Sequence, residues 1–311
     1  MTTHSNAVDI NGSKQWIYLN KLGSSARTLF FLHGGPGWAD APFAHLICKD
    51  LFQKFNIVHW DQRGTNRSYN KEDPTPKITT EQLLSDAEAI LQWLEDEHKI
   101  KTSIAIGHSW GSLLGVKLIS KIPNRFEGYV GLGQYVTGER SEPLSQQDAI
   151  QKAKDQNRAD LVSELERFPP DFYKNLGLLF RQREIVSILG GEFKQTPSET
   201  EFKEWLDSAP EAYRSTWSQM YSSCVFSCQT LWPELLRSNL IRDYLRIPLP
   251  VLLIHGKFDL CTHPQVAKEW FNLLQAPPGK EYIEFENSAH WPQIEENAKF
   301  VKIICERWNR D

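Results

Sequence analysis

A serine flanked by glycines is the clearest chemical signal in this sequence. Ser109 lies in residues 107–111, which read G-H-S-W-G and match the pattern G-x-S-x-G. Small residues two positions before and after the serine let a strand turn sharply into a helix, and this turn holds the serine in a strained, exposed position. Apolar residues 104–106 predict the strand, and residues 110–120 predict the helix. We therefore predict that Ser109 is a nucleophile.

A serine hydroxyl needs a base to remove its proton at neutral pH, and the base needs an acid to orient it. In the chain order typical of this turn, the acid follows the serine and the histidine comes last. Asp259 follows the strand predicted at residues 249–254, and His290 lies between the last predicted strand and the last predicted helix. We predict Asp259 as the acid and His290 as the general base. Glu139 is the alternative acid, and His263 is the alternative base.

Attack on a carbonyl carbon creates an oxyanion, which backbone N–H groups can stabilise. One predicted donor is Trp110, the residue after the nucleophile, and the other comes from the loop after the first buried strand. That loop, residues 33–37, reads H-G-G-P-G, and its glycines let the backbone approach a ligand closely. Gly35 is the preferred second donor, with Gly34 as the neighbouring alternative. We also expect Gly34 and His108 to bind the substrate.

The elements around these residues predict a parallel sheet. Short apolar runs that read as buried strands lie at residues 28–32, 55–60, 103–106, 129–132, 249–254 and 282–285. Helices are predicted after a capping box at 79–82, and at 264–274 and 292–308. This alternation of strands and helices indicates an α/β fold, with a mostly parallel, doubly wound sheet covered on both faces.

More than a hundred residues separate the strand at 129–132 from the strand at 249–254. A structureless loop of that length does not fit a compact domain, and a second capping box at 198–201 indicates helices. We predict a helical lid, or cap, at residues 134–246, inserted into a catalytic core of residues 1–133 and 247–311. An insertion near the carboxyl ends of the strands is well placed to gate a ligand site.

The composition argues against several functions. The 311 residues are 40% hydrophobic and 24% charged, an ordinary globular mixture. A net charge of -4 without a Lys/Arg run argues against binding to nucleic acid or to an anionic membrane. The sequence shows neither a signal peptide nor a membrane helix, and its five scattered cysteines favour a reduced, cytoplasmic protein. It indicates no metal and no organic cofactor, and it is silent about the oligomeric state.

Several motifs together resemble the proline iminopeptidase family of the α/β-hydrolases. They are H-G-G-P-G at 33–37, D-Q-R-G at 61–64 with R-S at 67–68, G-H-S-W-G-S at 107–112, L-I-H-G-K-F-D at 253–259, and S-A-H at 288–290. The resemblance implies an α/β-hydrolase fold with Ser109, Asp259 and His290 as the catalytic triad. It also implies that the loop with Arg63 braces the floor of the active site without taking part in the chemistry.

Aminopeptidases of that family hold the free amino group of the substrate with acidic lid residues. They tend to present these residues in W-x-x-W-E and E-N-H-Y-F-like stretches, and this lid contains neither. Residues 65–66 read T-N where the family usually has a Cys-Gly-like pair, and His108 stands where its peptidases often have glycine. The candidates for a substitute carboxylate are Glu184, Glu192, Glu204, Glu211 and Glu234.

The sequence thus predicts a metal-free serine hydrolase that acts through an acyl-enzyme on a small molecule or short peptide. The first interpretation is an aminopeptidase or amidase of the proline iminopeptidase type. A carboxylesterase or lactonase on small hydrophobic esters is the alternative, because the same triad cleaves both bonds. A non-catalytic ligand-binding protein with this fold is the third interpretation, although every triad member is present in order. The aromatic residues of the lid belong either to its core or to an apolar pocket: Phe168, Phe172, Phe180, Phe193, Trp205, Trp217 and Trp232.

Overall fold

The computed structural model describes residues 3–23, 25–71 and 78–309, and one sheet of eight strands runs through them. The strands are β1 (Thr3–Ile10), β2 (Ser13–Asn20), β3 (Thr28–Leu32), β4 (Asn56–Asp61), β5 (Ser103–His108), β6 (Phe126–Leu132), β7 (Val251–Gly256) and β8 (Lys280–Phe285). Their spatial order is β1-β2-β4-β3-β5-β6-β7-β8. The β1/β2 and β2/β4 pairs are antiparallel and the other pairs are parallel, which confirms the mostly parallel sheet.

Helices cover the sheet and fill the long segment between β6 and β7. They are α1 (Ala44–Ile47), α2 (Thr80–His98), α3 (Trp110–Lys121), α4 (Gly138–Asp155), α5 (Ala159–Leu165), α6 (Leu176–Ile188), α7 (Glu199–Asp207), α8 (Trp217–Arg237), α9 (Leu240–Asp243), α10 (Pro264–Leu273), α11 (Pro292–Glu295) and α12 (Asn297–Trp308). Short 3-10 turns lie at Ala41–Phe43, Leu51–Gln53, Asn66–Ser68, Pro123–Arg125, Phe172–Lys174 and Glu211–Tyr213.

The central strands are buried on both faces, as a doubly wound parallel sheet requires. Along β3, alternate side chains enter different cores: Phe30 packs in the core that includes α2, α3 and α10. Its neighbours Leu29 and Phe31 pack in the core that includes α1 and α12. Strands β3, β4, β5 and β7 are buried at every position. Their apolar runs therefore show no alternation in sequence, and this is the pattern that identified them.

Each of the six predicted strands lies within three residues of its bounds in the structure, but the hairpin of β1 and β2 was not predicted. The single helix predicted at 292–308 is wrong, because the chain breaks at Glu296 between α11 and α12. The break has a tertiary cause. The Glu296 carboxylate accepts hydrogen bonds from the Asn287 N–H at 2.9 Å and from the Ser288 hydroxyl at 2.8 Å. It thereby fixes the loop that leads to His290.

The segment predicted as a lid contains helices α4 to α9, and the outer ends of the predicted core, residues 1–2 and 310–311, lie outside the described residues. Helix α8 packs directly on the H-G-G-P-G loop. The Ser223 hydroxyl donates to the Gly37 carbonyl at 3.1 Å, and the Ser227 hydroxyl donates to the Gly64 carbonyl at the same distance. A Cβ atom added at Gly37 would lie 2.6 Å from Ser227 Cβ, so glycine is required for this contact.

The D-Q-R-G loop after β4 connects several parts of the core. The Arg63 guanidinium forms a two-point ion pair with Asp86 of α2, at 2.7 and 2.9 Å. On the other side of the loop, Gln62 accepts a hydrogen bond from the Trp110 indole at 3.0 Å. Its backbone N–H donates to His33 at 3.1 Å. Arg63 therefore anchors the loop to α2, and Gln62 makes the contact with residues near Ser109.

Asp61 is a fully buried carboxyl at the end of β4. Its Oδ2 accepts hydrogen bonds from the Tyr18 hydroxyl at 2.7 Å and from the Asn66 amide at 2.9 Å. Its Oδ1 has no hydrogen-bond partner among the described residues. Burial raises the pKa of Asp61 from 3.8 to about 7. Between these two pH values the unfolded chain releases a proton that the folded chain keeps, so the free energy of unfolding falls as the pH rises.

We expect Asp61→Asn to flatten this pH dependence. The asparagine keeps the shape of the protonated acid, and its amide oxygen can accept from Tyr18 and Asn66, but it has no proton to lose. Urea denaturation from pH 4 to pH 8 should show a smaller fall in the free energy of unfolding for the variant than for wild type. Asp9→Asn, at an exposed carboxyl on β1, is the control. Equal pH slopes for wild type and Asp61→Asn would contradict the expectation.

Candidate active site

Ser109 occupies a strained turn between β5 and α3. Its φ of 54° and ψ of -120° lie in a region that non-glycine residues rarely adopt. Two neighbouring glycines make the turn possible. A Cβ atom at Gly107 would lie 2.5 Å from the Gly111 carbonyl oxygen, and one at Gly111 would lie 1.9 Å from the Leu32 carbonyl oxygen. The predicted sharp strand-to-helix turn is thus present, and glycine is required on both sides of the serine.

His290 and Asp259 are joined by a hydrogen bond of 2.8 Å between Nδ1 and Oδ2. The other oxygen of Asp259 accepts from the N–H groups of Cys261 and Thr262, at 2.8 and 2.9 Å. Although burial acts to raise it, the pKa of Asp259 is held well below 3.8 by the imidazole of His290 and by hydrogen bonds from His255 and His290. An ionised Asp259 fixes the proton on Nδ1 of His290, which leaves Nε2 to accept a proton.

A cavity of about 210 Å³ brings Ser109 and His290 to one site, between the sheet core and helices α4, α6 and α8. Gly34, Gly35, His108 and Trp110 also line it, so six of the seven predicted site residues share its wall. The seventh, Asp259, lies fully buried behind His290. The remaining lining residues are Trp38, Tyr135, Glu142, Leu179, Phe180, Arg183, Glu192, Cys224, Cys228, Trp232, Leu235, Cys261, Thr262 and Trp291.

The two predicted oxyanion donors border this cavity. Trp110 is the first residue of α3, so its N–H has no carbonyl partner within the helix. Gly35 has a φ of 109°, and a Cβ atom there would lie 2.6 Å from the backbone nitrogens of Gly37 and Trp38. The glycine thus permits a backbone conformation that brings the loop close to the cavity. The donor roles of Gly35 and Trp110 stay predictions.

His108 contacts the backbone of His290, the proposed base. Its Nε2 lies 2.8 Å from the carbonyl oxygen of His290, and its ring packs 4.3 Å from the ring of Trp291, centroid to centroid. Burial lowers the pKa of His108 to about 3, so its ring is neutral and donates this hydrogen bond. His108 therefore holds the backbone of His290 in place. Its predicted contact with the substrate stays a prediction.

The alternative triad members lie elsewhere. Glu139 is exposed in the first turn of α4 and does not line the cavity. His263 precedes α10, where its Nδ1 accepts from the Gln265 N–H and its Nε2 lies 3.0 Å from Asp148. The geometry therefore favours Asp259 and His290 for these roles.

Of the five candidate glutamates for an amine site, only Glu192 lines the cavity. Its side chain is half-buried, and among the described residues no ion pair involves it. Glu184 pairs with Arg181 at 2.8 Å, and Glu234 accepts from a backbone N–H at the start of α2. Glu204 and Glu211 are exposed.

The sequence did not reveal an ion pair that lines the cavity from α4 and α6. Glu142, only 1% exposed, forms an ion pair of 2.5 Å with Arg183 through one carboxylate oxygen. The other oxygen, Oε2, has no hydrogen-bond partner among the described residues. The two residues are separated by 41 positions and belong to different helices, so no local pattern in the sequence marks them.

Comparisons with known proteins agree with the resemblance predicted from the motifs. The family described as alpha/beta hydrolase fold matches residues 27–297. A Bacillus subtilis protein named probable aminopeptidase YbaC is 30% identical over 300 residues, which cover 96% of this chain and 93% of that protein. A proline iminopeptidase of Saccharolobus solfataricus is 25% identical over 308 residues, with coverage of 96% and 89%.

The crystal structure of a proline iminopeptidase from Mycobacterium smegmatis superposes with a TM-score of 0.68 at 15% identity, and the match covers 99% of this chain and 97% of that one. The predicted fold class and the predicted resemblance are thereby confirmed. Within the described part of the chain, no helix combines the length and apolar character needed to cross a membrane. The cytoplasmic location stays a prediction.

We expect a fluorophosphonate probe to label wild type at a single site and to leave Ser109→Ala unlabelled. The probe reacts with a serine hydroxyl only where a base activates it. Intact-protein mass spectrometry measures the adduct. Ser120→Ala is the matched control, because its hydroxyl lies on α3, the helix that follows Ser109, and donates to the Val116 carbonyl at 2.7 Å. Labelling of Ser109→Ala at the wild-type rate would exclude Ser109 as the nucleophile.

Proposed function

The chain belongs to the alpha/beta hydrolase family, and from that membership and the geometry of its cavity we propose that it is a serine hydrolase with aminopeptidase or amidase activity on small substrates. The observation that carries the proposal is the Glu192 carboxylate, which has no ion-pair partner among the described residues and lines the cavity that holds Ser109 and His290. Named relatives that include a probable aminopeptidase and proline iminopeptidases support it.

The proposed mechanism uses the triad in two steps. His290 Nε2 removes the proton of the Ser109 hydroxyl while the oxygen attacks the carbonyl carbon, and the Gly35 and Trp110 N–H groups stabilise the oxyanion. His290 then gives the proton to the leaving amine, and the scissile bond breaks to leave an acyl-enzyme. Water, activated by the same imidazole, hydrolyses the acyl-enzyme and restores Ser109. Asp259 stabilises the imidazolium in both steps.

The charges around the cavity favour a cationic substrate. Glu142 and Arg183 form an ion pair, and among the described residues no cation pairs with Glu192, which lines the same cavity. Burial raises the pKa of the Cys261 thiol, while the Arg183 guanidinium acts to lower it and Asp259, Glu192 and Glu142 act to raise it. An ammonium group has three donors, and the Glu192 carboxylate can accept from it.

We expect Glu192→Gln to weaken cleavage of amino acid amides selectively. Glutamine keeps the shape of the side chain but removes the charge, and a hydrogen bond to a charged group contributes roughly 1.5–3 kcal/mol. KM for prolyl, alanyl and leucyl β-naphthylamides should therefore rise about 10- to 100-fold relative to the change in KM for p-nitrophenyl acetate, which has no amine. Glu184→Gln, at the exposed partner of Arg181, is the control. Equal changes for amides and esters would exclude Glu192 as the amine site.

A carboxylesterase or lactonase is the second candidate, favoured by the apolar part of the cavity wall. Leu179, Phe180, Trp232 and Leu235 all face the cavity from the cap side. Comparing prolyl β-naphthylamide with p-nitrophenyl butyrate, each in wild type and Ser109→Ala, separates the two functions. Cleavage of esters alone, dependent on Ser109, would identify an esterase. A folded wild type that turns over neither substrate and resists fluorophosphonate would point to the non-catalytic, ligand-binding interpretation.

We also propose that residues 134–246 act as the lid of this site. They supply the cap-side wall of the cavity, and α8 contacts the H-G-G-P-G loop beside Ser109. Trp232 and Leu235 of α8 belong to the same apolar core as α2 and α3, so the lid is held by packing as well as by hydrogen bonds. Motion of α8 would therefore both open the cavity and release the loop that carries Gly35.

We expect the double change Ser223→Ala and Ser227→Ala to loosen this lid. It removes the Ser227 hydroxyl, which donates to the Gly64 carbonyl, and the Ser223 hydroxyl, whose proton is shared between the Met220 and Gly37 carbonyls. Each buried carbonyl left without a donor costs about 1–3 kcal/mol. Hydrogen–deuterium exchange should accelerate in α8, and KM for β-naphthylamides should rise. Thr230→Ala is the control on the same helix, because the Thr230 hydroxyl donates to the Phe226 carbonyl within α8. Unchanged exchange in α8 would show that these bonds do not hold the lid.

A further inference from the structure

A second hollow adjoins the catalytic cavity. It encloses about 790 Å³, and its aromatic lining consists of Trp38, Phe193, Phe202 and Trp217; we call it the aromatic groove. Trp38 and Glu192 line both the aromatic groove and the catalytic cavity. The two spaces are therefore neighbours that share a wall next to the carboxylate proposed to bind the amine.

Aromatic rings of the groove are partly exposed to solvent and are held in fixed orientations by contacts with one another. Trp217 is 52% exposed, and its ring stacks on that of Tyr221, which is 51% exposed, at 6.1 Å and 16°. Trp38 and Phe202 each meet the Trp217 ring edge to face, at 5.3 Å. These contacts fix the orientation of the Trp217 ring and leave about half of it in water. Large aromatic surface held in this way is typical of a ligand site, because binding covers it at little cost in side-chain entropy.

The aromatic groove lies on the histidine side of the catalytic cavity. Phe193 stacks on Trp291 at 5.7 Å with parallel rings, and Trp291 directly follows His290. The backbone N–H of His290 also donates to the Glu192 carbonyl at 2.7 Å, so Glu192 and Phe193 are attached to the His290 loop. The imidazole that protonates a leaving group must lie beside it. A leaving group beside His290 would therefore lie close to the aromatic groove.

We propose that the aromatic groove binds the leaving-group side of the substrate and selects an aromatic or large apolar residue after the scissile bond. The proposal rests on the proposed function, and it adds the substrate class: short peptides with a free N-terminus and an aromatic second residue. Besides Glu192, which is assigned to the substrate amine, two acidic residues and one lysine line the aromatic groove; Lys203 pairs with Asp207, and Glu199 remains as the acidic excess. This acidic excess disfavours a free carboxylate next to the aromatic residue, so the preferred substrates continue beyond it or are amidated.

The test compares Pro-Phe-amide with Pro-Gly-amide, which share an acyl group and differ only in the leaving group. We expect wild type to cleave the phenylalanine substrate with a kcat/KM about 10-fold or more above that of the glycine substrate. In Trp217→Ala the ratio should fall to about 2 or less, and Trp217→Phe should restore most of it. Leu273→Ala, at an exposed apolar residue on α10 that lines neither space, is the matched control.

The outcomes of this comparison distinguish failure of the aromatic groove from failure of the proposed function. A wild type that cleaves both substrates equally, or a Trp217→Ala variant that keeps the full preference, overturns the aromatic groove and leaves the aminopeptidase function standing. Loss of the preference in Leu273→Ala as well would also overturn it, since the effect would not belong to the groove. Failure of fluorophosphonate-reactive wild type to cleave either peptide refutes the proposed function and this proposal with it. If Trp217→Ala fails to fold, Tyr221→Ala removes the stacked partner and tests the same ratio.

Discussion

The backbone of Ser109 is the constraint on which the architecture of the site depends. A positive φ at a residue with a side chain costs on the order of 1–3 kcal/mol, and packing around it has to hold it in place. Gly111 supplies much of that packing, because α3 lies directly against the carbonyl of Leu32 at the end of β3. The residues that follow β3 must then run past Ser109. The strained turn therefore brings the loop with Gly35 next to Ser109.

Asp259 and His290 are brought together by a similar contact. A Cβ atom at Gly256, the last residue of β7, would lie 1.8 Å from the Ala289 carbonyl oxygen. This close approach lets the loop after β7 and the loop after β8 touch, and it sets Asp259 within 2.8 Å of His290. Gly107, Gly111 and Gly256 thus set the spacing of the site, and the hydrogen-bond donors around Asp259 keep it ionised despite its full burial.

These glycine contacts explain how much could be predicted from the sequence. The residues around Ser109, Asp259 and His290 are constrained locally, so short motifs identify them, and the bounds predicted for β3 agree with the structure residue for residue. The break at Glu296 could not be predicted in this way. The apolar spacing of 292–308 is continuous, and the chain breaks there because the carboxylate bonds to a loop about nine residues earlier.

Residues 134–246 were predicted to be helical, but the ion pair between Glu142 and Arg183 was not predicted. The pairing of Glu142 with Arg183 depends on how α4 and α6 meet, and helical spacing carries no information about that. Glu142 also precedes a proline within its helix and resembles any solvent-facing glutamate in the sequence. The hairpin of β1 and β2 was missed for a related reason. It lies at the edge of the sheet, where β1 keeps much of its surface in water and lacks the continuous apolar run of the central strands.

The contact between α8 and the H-G-G-P-G loop has a thermodynamic consequence. Two states that differ in the position of α8 also differ in the conformation of the loop with Gly35, because Ser223 and Ser227 tie the helix to Gly37 and Gly64. Linkage is reciprocal: a ligand that binds only the ordered loop must stabilise the docked helix by the same free energy that docking adds to its affinity. A mimic of the tetrahedral intermediate should therefore act as an effector of the cap, although it touches only the core. Under the proposed lid role of residues 134–246, access to the cavity and affinity for the transition state depend on the same equilibrium.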